Sequence, residues 1–263
     1  MRGTHKGVGM VRLPALITEY AKLDGRPRSK IAWYARLARE AGKLPTSKRG
    51  RGASEMGVRE AVNLILACNC AEDPKEGANV IEKYRSYEVY AEIIGSQLDL
   101  VLALERELDE IENSDIREIA LEPNLGKALE KLIHLTPSLF KTLYKNMQYV
   151  HPEKNDKERF IEIAMTHNIS LSIEEHNATL NIKEHALSIR VDRLDKNSIE
   201  IMYTDNLDEQ IKKNYFGPAT EFRHVKTTLK FGVFLGLAKL FFEDSMKFPD
   251  ELIPQSIGGG GDG

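Results

Sequence analysis

The chain is 263 residues long, 41% hydrophobic and 29% charged, with a formal net charge of -3, enough apolar material for a buried core in one large domain or two modest ones. Its longest apolar run, Phe231 to Phe242, is too short to cross a bilayer and is interrupted by Gly232 and Lys239, so no membrane segment is expected; MRGTHKGVGM likewise lacks the apolar core and cleavage site of a secretory leader. The small total charge conceals an asymmetry: residues 1–60 hold 14 Lys and Arg against 5 Asp and Glu, net +9, and the remainder hold 23 against 35, net -12. A basic end on an acidic body implies a polyanion partner for the N-terminal part, with nucleic acid first among the choices.

Leu13, Leu16, Ile17, Tyr20 and Ala21 recur at i, i+3, i+4, i+7 and i+8, which predicts an amphipathic helix with Pro14 in its first turn and Gly25 as its stop. Ile31, Tyr34, Ala35, Ala38 and Ala41 mark a second helix, ended by Gly42 and then Pro45. A tight link joins the two into a helix-turn-helix unit. KLPTSKRGRGASEM, residues 43–56, alternates basic residues with glycine, a composition suited to a tight hairpin or flexible loop. Val58, Ala61, Val62, Ile65 and Leu66 then begin a covering third helix. Cys68 and Cys70 fall within it. With no second cysteine pair to complete a zinc site they read as reduced structural thiols, and a cytoplasmic location follows.

Residues 73–92 read as another helix starting at Asp73 and Pro74, residues 96–112 as a helix with an acidic outer face, and residues 126–146 as two helical pieces divided at Pro137. Residues 148–158 read as a linker. Beyond them the period changes from 3.6 to 2. Ile169, Leu171 and Ile173, then Leu187, Ile189 and Val191, then Ile199, Ile201 and Tyr203 each alternate with other residues. With a shorter Leu180, Ile182 run and turns at residues 175–177, 183–185 and 195–197, this predicts an antiparallel meander. The apolar segment from Thr227 to Phe242 is expected to pack on its inner face as one helix, and IGGGGDG is expected to be a disordered tail.

Plotted at 100° per residue, the second helix places Ser29, Ala32, Trp33, Arg36, Arg39 and Glu40 opposite Ile31, Tyr34 and Ala38. A major groove admits one helix, and arginine grips guanine O6 and N7 with two bonds, so this outward face has the chemistry to read bases. Lys48, Arg49 and Arg51 sit on a glycine-hinged tip suited to phosphates or a narrow minor groove. Trp33 fits either of two roles: DNA contact, or a buried aromatic docking the N-terminal unit on the rest of the protein.

The order helix, short turn, helix with adjacent aromatics and arginine, EAGKLP, basic hairpin and covering helix resembles the winged helix-turn-helix of MerR-type regulators and of prophage-encoded DNA-binding proteins. The resemblance spans roughly residues 10–90. It makes Ser29 to Gly42 the recognition helix, with Trp33 and Tyr34 as its aromatic pair, and Lys48 to Ala53 the wing. A Gly-Tyr-Arg segment that follows the wing in MerR regulators is missing here.

The fold class expected is α+β: an all-α winged helix-turn-helix at residues 10–92, a helical connector at 93–157, an α+β oligomerisation or partner domain at 158–250, and a tail at 251–263. Arg36, Arg39 and Lys30 are expected to address base edges and nearby phosphates, Arg28, Lys48, Arg49 and Arg51 to hold the backbone, and Ser29 and Trp33 to complete the surface. The expected function is sequence-specific binding of double-stranded DNA by a transcriptional regulator of a phage or other mobile element, working as a homodimer or higher oligomer. Two alternatives stand beside it: a phage small-terminase-like packaging adaptor that marks DNA with the same arm, and an adaptor or antitoxin whose basic helix docks an acidic protein.

His167, His176 and His185 are nine residues apart, which matches no metal-ligand motif, and are expected to be solvated turn residues. The carboxylates of ERELDEIE, residues 105–112, have no second pair for a dimetal site and read as a solvated helix face. The sequence contains none of the motifs G-x-G-x-x-G, G-x-x-x-x-G-K-[ST], G-x-S-x-G or H-E-x-x-H. Neither a cofactor nor a metal nor an enzymatic activity is expected.

Overall fold

A computed structural model of the chain describes residues 9, 11–46, 54–71, 73–91, 114–165, 169–177, 183–192, 198–204 and 224–242; for residues 88–91, 114, 116, 120, 146, 165, 169–177, 183–192, 198–204 and 224–228 the description is of the backbone. The elements are β1 (Val11–Arg12), α1 (Leu13–Asp24), α2 (Arg28–Glu40), β2 (Glu55–Met56), α3 (Val58–Cys70), α4 (Gly77–Arg85), β3 (Glu88–Ala91), α5 (Ser114–Ala120), α6 (Leu125–Val150), α7 (Asp156–Met165), β4 (Ile169–Asn177), β5 (Lys183–Asp192), β6 (Ser198–Thr204), β7 (His224–Lys230) and α8 (Phe231–Phe242). Helices with an antiparallel sheet make the class α+β. The chain divides into two compact units, Met1–Ile81 with Leu132–Ala164 and Gly232–Gly263, and Glu82–Lys131 with Met165–Phe231. Each unit is assembled from segments distant in sequence, not from consecutive stretches of the chain as expected.

In the first unit, α1 buries Leu16, Ile17, Tyr20 and Ala21 and α2 buries Ile31, Tyr34, Ala35 and Ala38, as the apolar spacing predicts. Gly25 closes α1 with φ of 80° and donates its N–H to Ala21 O at 3.0 Å. Gly42 has φ of 73° and donates to Arg39 O at 3.0 Å, while the next N–H, of Lys43, reaches back to Ala38 O at 2.8 Å. Those paired bonds satisfy the last carbonyls of α2, and glycine is the residue that adopts the left-handed turn without a Cβ clash. Nothing lies within 4 Å of a Cβ built on Gly25, so Gly25→Ala is expected to destabilise by backbone strain alone. The expected cost is about 1 kcal/mol. Thermal unfolding checks it: a melting temperature unchanged from the parent would contradict the strain.

α3 is buried almost throughout, from Val58 to Cys68 apart from Arg59 and Glu60. The Glu60 carboxylate accepts from Gly57 N–H at 2.8 Å to close its first turn, and buried Asn63 donates to Lys43 O at 2.7 Å. β1 and β2 pair antiparallel, Val11 opposite Met56 and Arg12 opposite Glu55.

The apolar segment near the end of the chain begins differently from the sequence expectation. Thr227 to Lys230 are strand, and the helix starts only at Phe231. From Gly232 onward α8 is grouped with the N-terminal helices and not with the meander. Gly236 lies so near α1 that a Cβ there would come within 2.4 Å of Leu23, Gly9 N–H donates to Phe241 O at 2.8 Å, and the rings of His134 and Phe242 are 5.2 Å apart.

Pro137 does not divide a helix: α6 runs through it from Leu125 to Val150. A proline within a helix costs about 3 kcal/mol, but Leu132, Ile133, Thr136 and Leu139 around it are buried, and each fully buried aliphatic side chain contributes about 1.5–3 kcal/mol. Residues 148–158 are likewise not a linker, since α6 continues to Val150 and α7 begins at Asp156.

The second unit carries a five-stranded antiparallel sheet in the order β3-β6-β5-β4-β7. Its middle, β4-β5-β6, is the meander expected from the period of 2. Ile169, Leu171 and Ile173 face Val191, Ile189 and Leu187, and Leu187 and Ile189 face Tyr203 and Ile201 in turn, so the apolar residues share one side and Ser170, Ser172, Ser188 and Arg190 share the other. Residues 175–177 and 183–185 are not turns; Glu175 pairs with His185, His176 with Glu184 and Asn177 with Lys183. The two outer strands were not expected. β3 replaces the end of the helix expected over 73–92, which stops at Arg85, and Val89 pairs with Tyr203 on β6. Elsewhere in this unit Leu125 N–H donates to Tyr87 O at 2.9 Å and the Arg85 guanidinium pairs with Glu130. The expectations for residues 96–112, 180–182 and 195–197, for His167 and for the tail lie outside the described residues.

Candidate nucleic-acid interface

α1 and α2 are joined by three residues, Gly25, Arg26 and Pro27. α2 presents four cations and one acid, Arg28, Lys30, Arg36, Arg39 and Glu40, over 13 residues. With Ile31, Tyr34, Ala35 and Ala38 committed to the core, the rest of the helix is left outward. Ser29, Trp33, Arg36 and Glu40 follow one another at spacings of four, three and four residues along that side, and all are exposed. Arg28 and Lys30 are exposed beside them, and Arg39 is half-buried. Trp33 keeps 48% of its surface accessible, so of its two expected roles the buried docking aromatic is not realised. Lys48, Arg49 and Arg51 lie outside the described residues.

Two of the cations on α2 are oriented by local bonds. Arg36 Nε donates to Glu40 Oε1 at 2.7 Å, one turn on, which leaves its two Nη nitrogens with no partner among the described residues. Arg28 Nε donates to Thr18 Oγ1 at 3.0 Å, and the same hydroxyl donates to Pro14 O at 2.8 Å. That bond ties the start of α2 to α1. An exposed pair of this kind is worth little to stability; its effect is on where the guanidinium points.

The residue that ties the turn between α1 and α2 to α3 is one the sequence did not mark. Arg26, in the connecting turn, donates to both Asp24 carboxylate oxygens, with Nη2 at 2.9 Å from Oδ1, to Cys68 O near the end of α3, and to Asn69 Oδ1 at 2.8 Å. Asn69 in turn donates to Tyr20 OH at 2.7 Å and Ile65 O at 2.8 Å. A cation on the last carbonyls of α3 also complements the negative end of that helix. Burial disfavours the Arg26 charge, but the hydrogen bonds and charge of Asp24 outweigh this and hold its pKa above the ordinary value. Burial also pushes the Cys68 thiol to about 12 and the Tyr20 phenol well above its usual range. Both are neutral at physiological pH, so Asp24 is the carboxylate that answers Arg26. The partners are 42 and 43 residues away along the chain, which is why no local pattern reveals them.

Among the residues whose side chains are described, no group of three His, Cys, Asp or Glu could hold a metal ion, and no helix among the described residues is long and apolar enough to cross a membrane. No family model, curated protein or solved structure matches the chain.

Proposed function

We propose that the chain binds double-stranded DNA in a sequence-dependent manner, with α2 as the recognition helix of a helix-turn-helix, in the manner of a regulator of a phage or mobile element acting as a homodimer or higher oligomer. One observation carries the reading: an exposed row of Ser29, Trp33 and Arg36, flanked by Arg28 and Lys30, on a helix whose opposite side is packed with α1 behind a three-residue turn. An α-helix fits the major groove, and exposed guanidinium and ammonium groups on its outer side meet both phosphates and base edges there. The net charge of +9 over residues 1–60 supports the same partner, because a polyanion attracts a concentrated positive field however acidic the rest of the chain is. In this reading the basic loop with Lys48, Arg49 and Arg51 is the wing, and a second protomer doubles the bases read.

Salt tests it. Fluorescence anisotropy of a labelled duplex between about 50 and 200 mM salt is expected to give log affinity falling linearly with log salt, with a slope near -0.9 for each phosphate contacted. With Arg36 given to a base edge, the other three cations on α2 predict a slope of up to about -2.7 per protomer before the wing is counted. Absence of binding at low salt, or a slope near zero, rejects the proposal. Selection of bound fragments from random duplexes then supplies the preferred sequence.

A further inference from the structure

We propose that Trp33 is a specificity-determining residue that reads the 5-methyl group of thymine in the major groove, on the base pair next to the one addressed by Arg36. The inference rests on the reading of α2 as a recognition helix and names what that helix selects. Trp33 is the only tryptophan in the chain and stands in the middle of the exposed row, with 48% of its surface accessible. Its neighbours three and four residues away on the helix surface are Ser29, Lys30, Arg36 and Leu37, none of them acidic. α2 serves the core without it, through Ile31, Tyr34, Ala35 and Ala38. Among the described residues no ring or cation is stacked on its indole.

A single exposed aromatic needs no explanation by itself. This one is set between two exposed cations, Lys30 and Arg36, so a duplex drawn in by charge meets an apolar plane at the same place. Of the four bases, thymine alone presents a methyl group to the major groove; the other edges offer donors and acceptors that an apolar plane would leave unpaired. Residues 33 and 36 are about 4.5 Å apart along the helix axis, close to the rise of about 3.4 Å between base pairs. The two side chains therefore fall on neighbouring pairs, an arginine on guanine and an indole on the adjoining thymine. Tryptophan has only two side-chain torsions, so fixing its ring against a methyl costs little conformational entropy.

The test uses the full chain and the duplex recovered by selection, with each thymine replaced in turn by deoxyuridine. That replacement removes the methyl and leaves every hydrogen-bonding group of the base in place. At one thymine beside a guanine it is expected to weaken binding by the parent about fourfold, the factor that one buried methyl-sized group carries. Trp33→Ala is expected to bind the thymine and uracil duplexes equally, and Trp33→Phe to keep part of the preference. Because Trp33 is the sole tryptophan, its emission in the unlabelled parent is expected to be quenched as the selected duplex binds. Far-UV circular dichroism matched to the parent shows that the variants fold, and the uracil series on the parent is decisive without them. A selected sequence with no thymine next to a guanine, salt-dependent binding that no uracil weakens, or a uracil effect that persists in Trp33→Ala would overturn the assignment and leave the recognition helix standing. So would a Trp33→Ala loss equal on selected and shuffled duplexes, the result that a contact between the indole N–H and phosphate gives. Absence of binding to any duplex at low salt removes both readings.

Discussion

Arg36→Ala is expected to bind the preferred duplex on the order of tenfold to a hundredfold more weakly than the parent, while its affinity for unrelated duplex changes little. Arg36 is in the middle of the exposed side of α2, between Trp33 and Glu40, and its Nε bond to Glu40 leaves both Nη nitrogens for a two-pronged contact. Guanine offers O6 and N7 at the matching separation, so losing the fork removes discrimination at one base pair. Arg49→Ala is expected to behave differently, weakening all sequences alike and lowering the salt slope by about one unit, as a phosphate contact does. Anisotropy titrations of each variant against the selected duplex and a shuffled one separate the two. If Arg36→Ala lowers both affinities in parallel, or neither, Arg36 does not read a base and the recognition row is assigned to the wrong residue.

Arg26→Met is expected to destabilise the first unit by about 2–3 kcal/mol, a drop of roughly 5–10 °C in melting temperature. The substitution keeps much of the volume but removes the donors to Asp24, Cys68 O and Asn69, and the Asp24 side chain, only 8% exposed, is left charged without its cation. Removing one partner of a largely buried pair costs more than the pair itself contributes, because the stranded charge is still out of water. Asp24→Asn/Arg26→Met is therefore expected to recover part of the loss. Urea and thermal unfolding of the single and double variants measure it. A single variant within about 0.5 kcal/mol of the parent would mean that Arg26 is not the clamp between the turn and α3.

α1 and α2 were legible because everything that ends them is local. The apolar spacing selects the buried side, and glycines at 25 and 42 accept the left-handed turns that close the two helices. The central three strands were legible for the same kind of reason, a period of 2 sustained over β4, β5 and β6. The exposed cations of α2 followed from its buried side by subtraction. Less was visible where a competing tendency had to be weighed against distant neighbours. Four residues of β3 carry too little pattern to be told from the end of α4, and in the largely apolar segment from Thr227 to Phe242 nothing local marks the change from strand to helix at Phe231. The interruption expected at Pro137 fails because the buried residues on both sides of it outweigh one lost hydrogen bond.

By itself, then, the sequence determined where short-range geometry repeats: the two N-terminal helices and their stops, the alternation of the meander, and which side of α2 is basic. Only the tertiary structure decided that Arg26 holds the turn to α3, that α8 belongs beside α1, and which strands border the meander. The physical reason is range. Helix stops and side-chain periodicity are set by atoms a few residues apart, whereas a buried charge network, a helix packing site and a strand register depend on which remote segment arrives beside them, and that is settled by the sum of burial and hydrogen bonding over the whole fold.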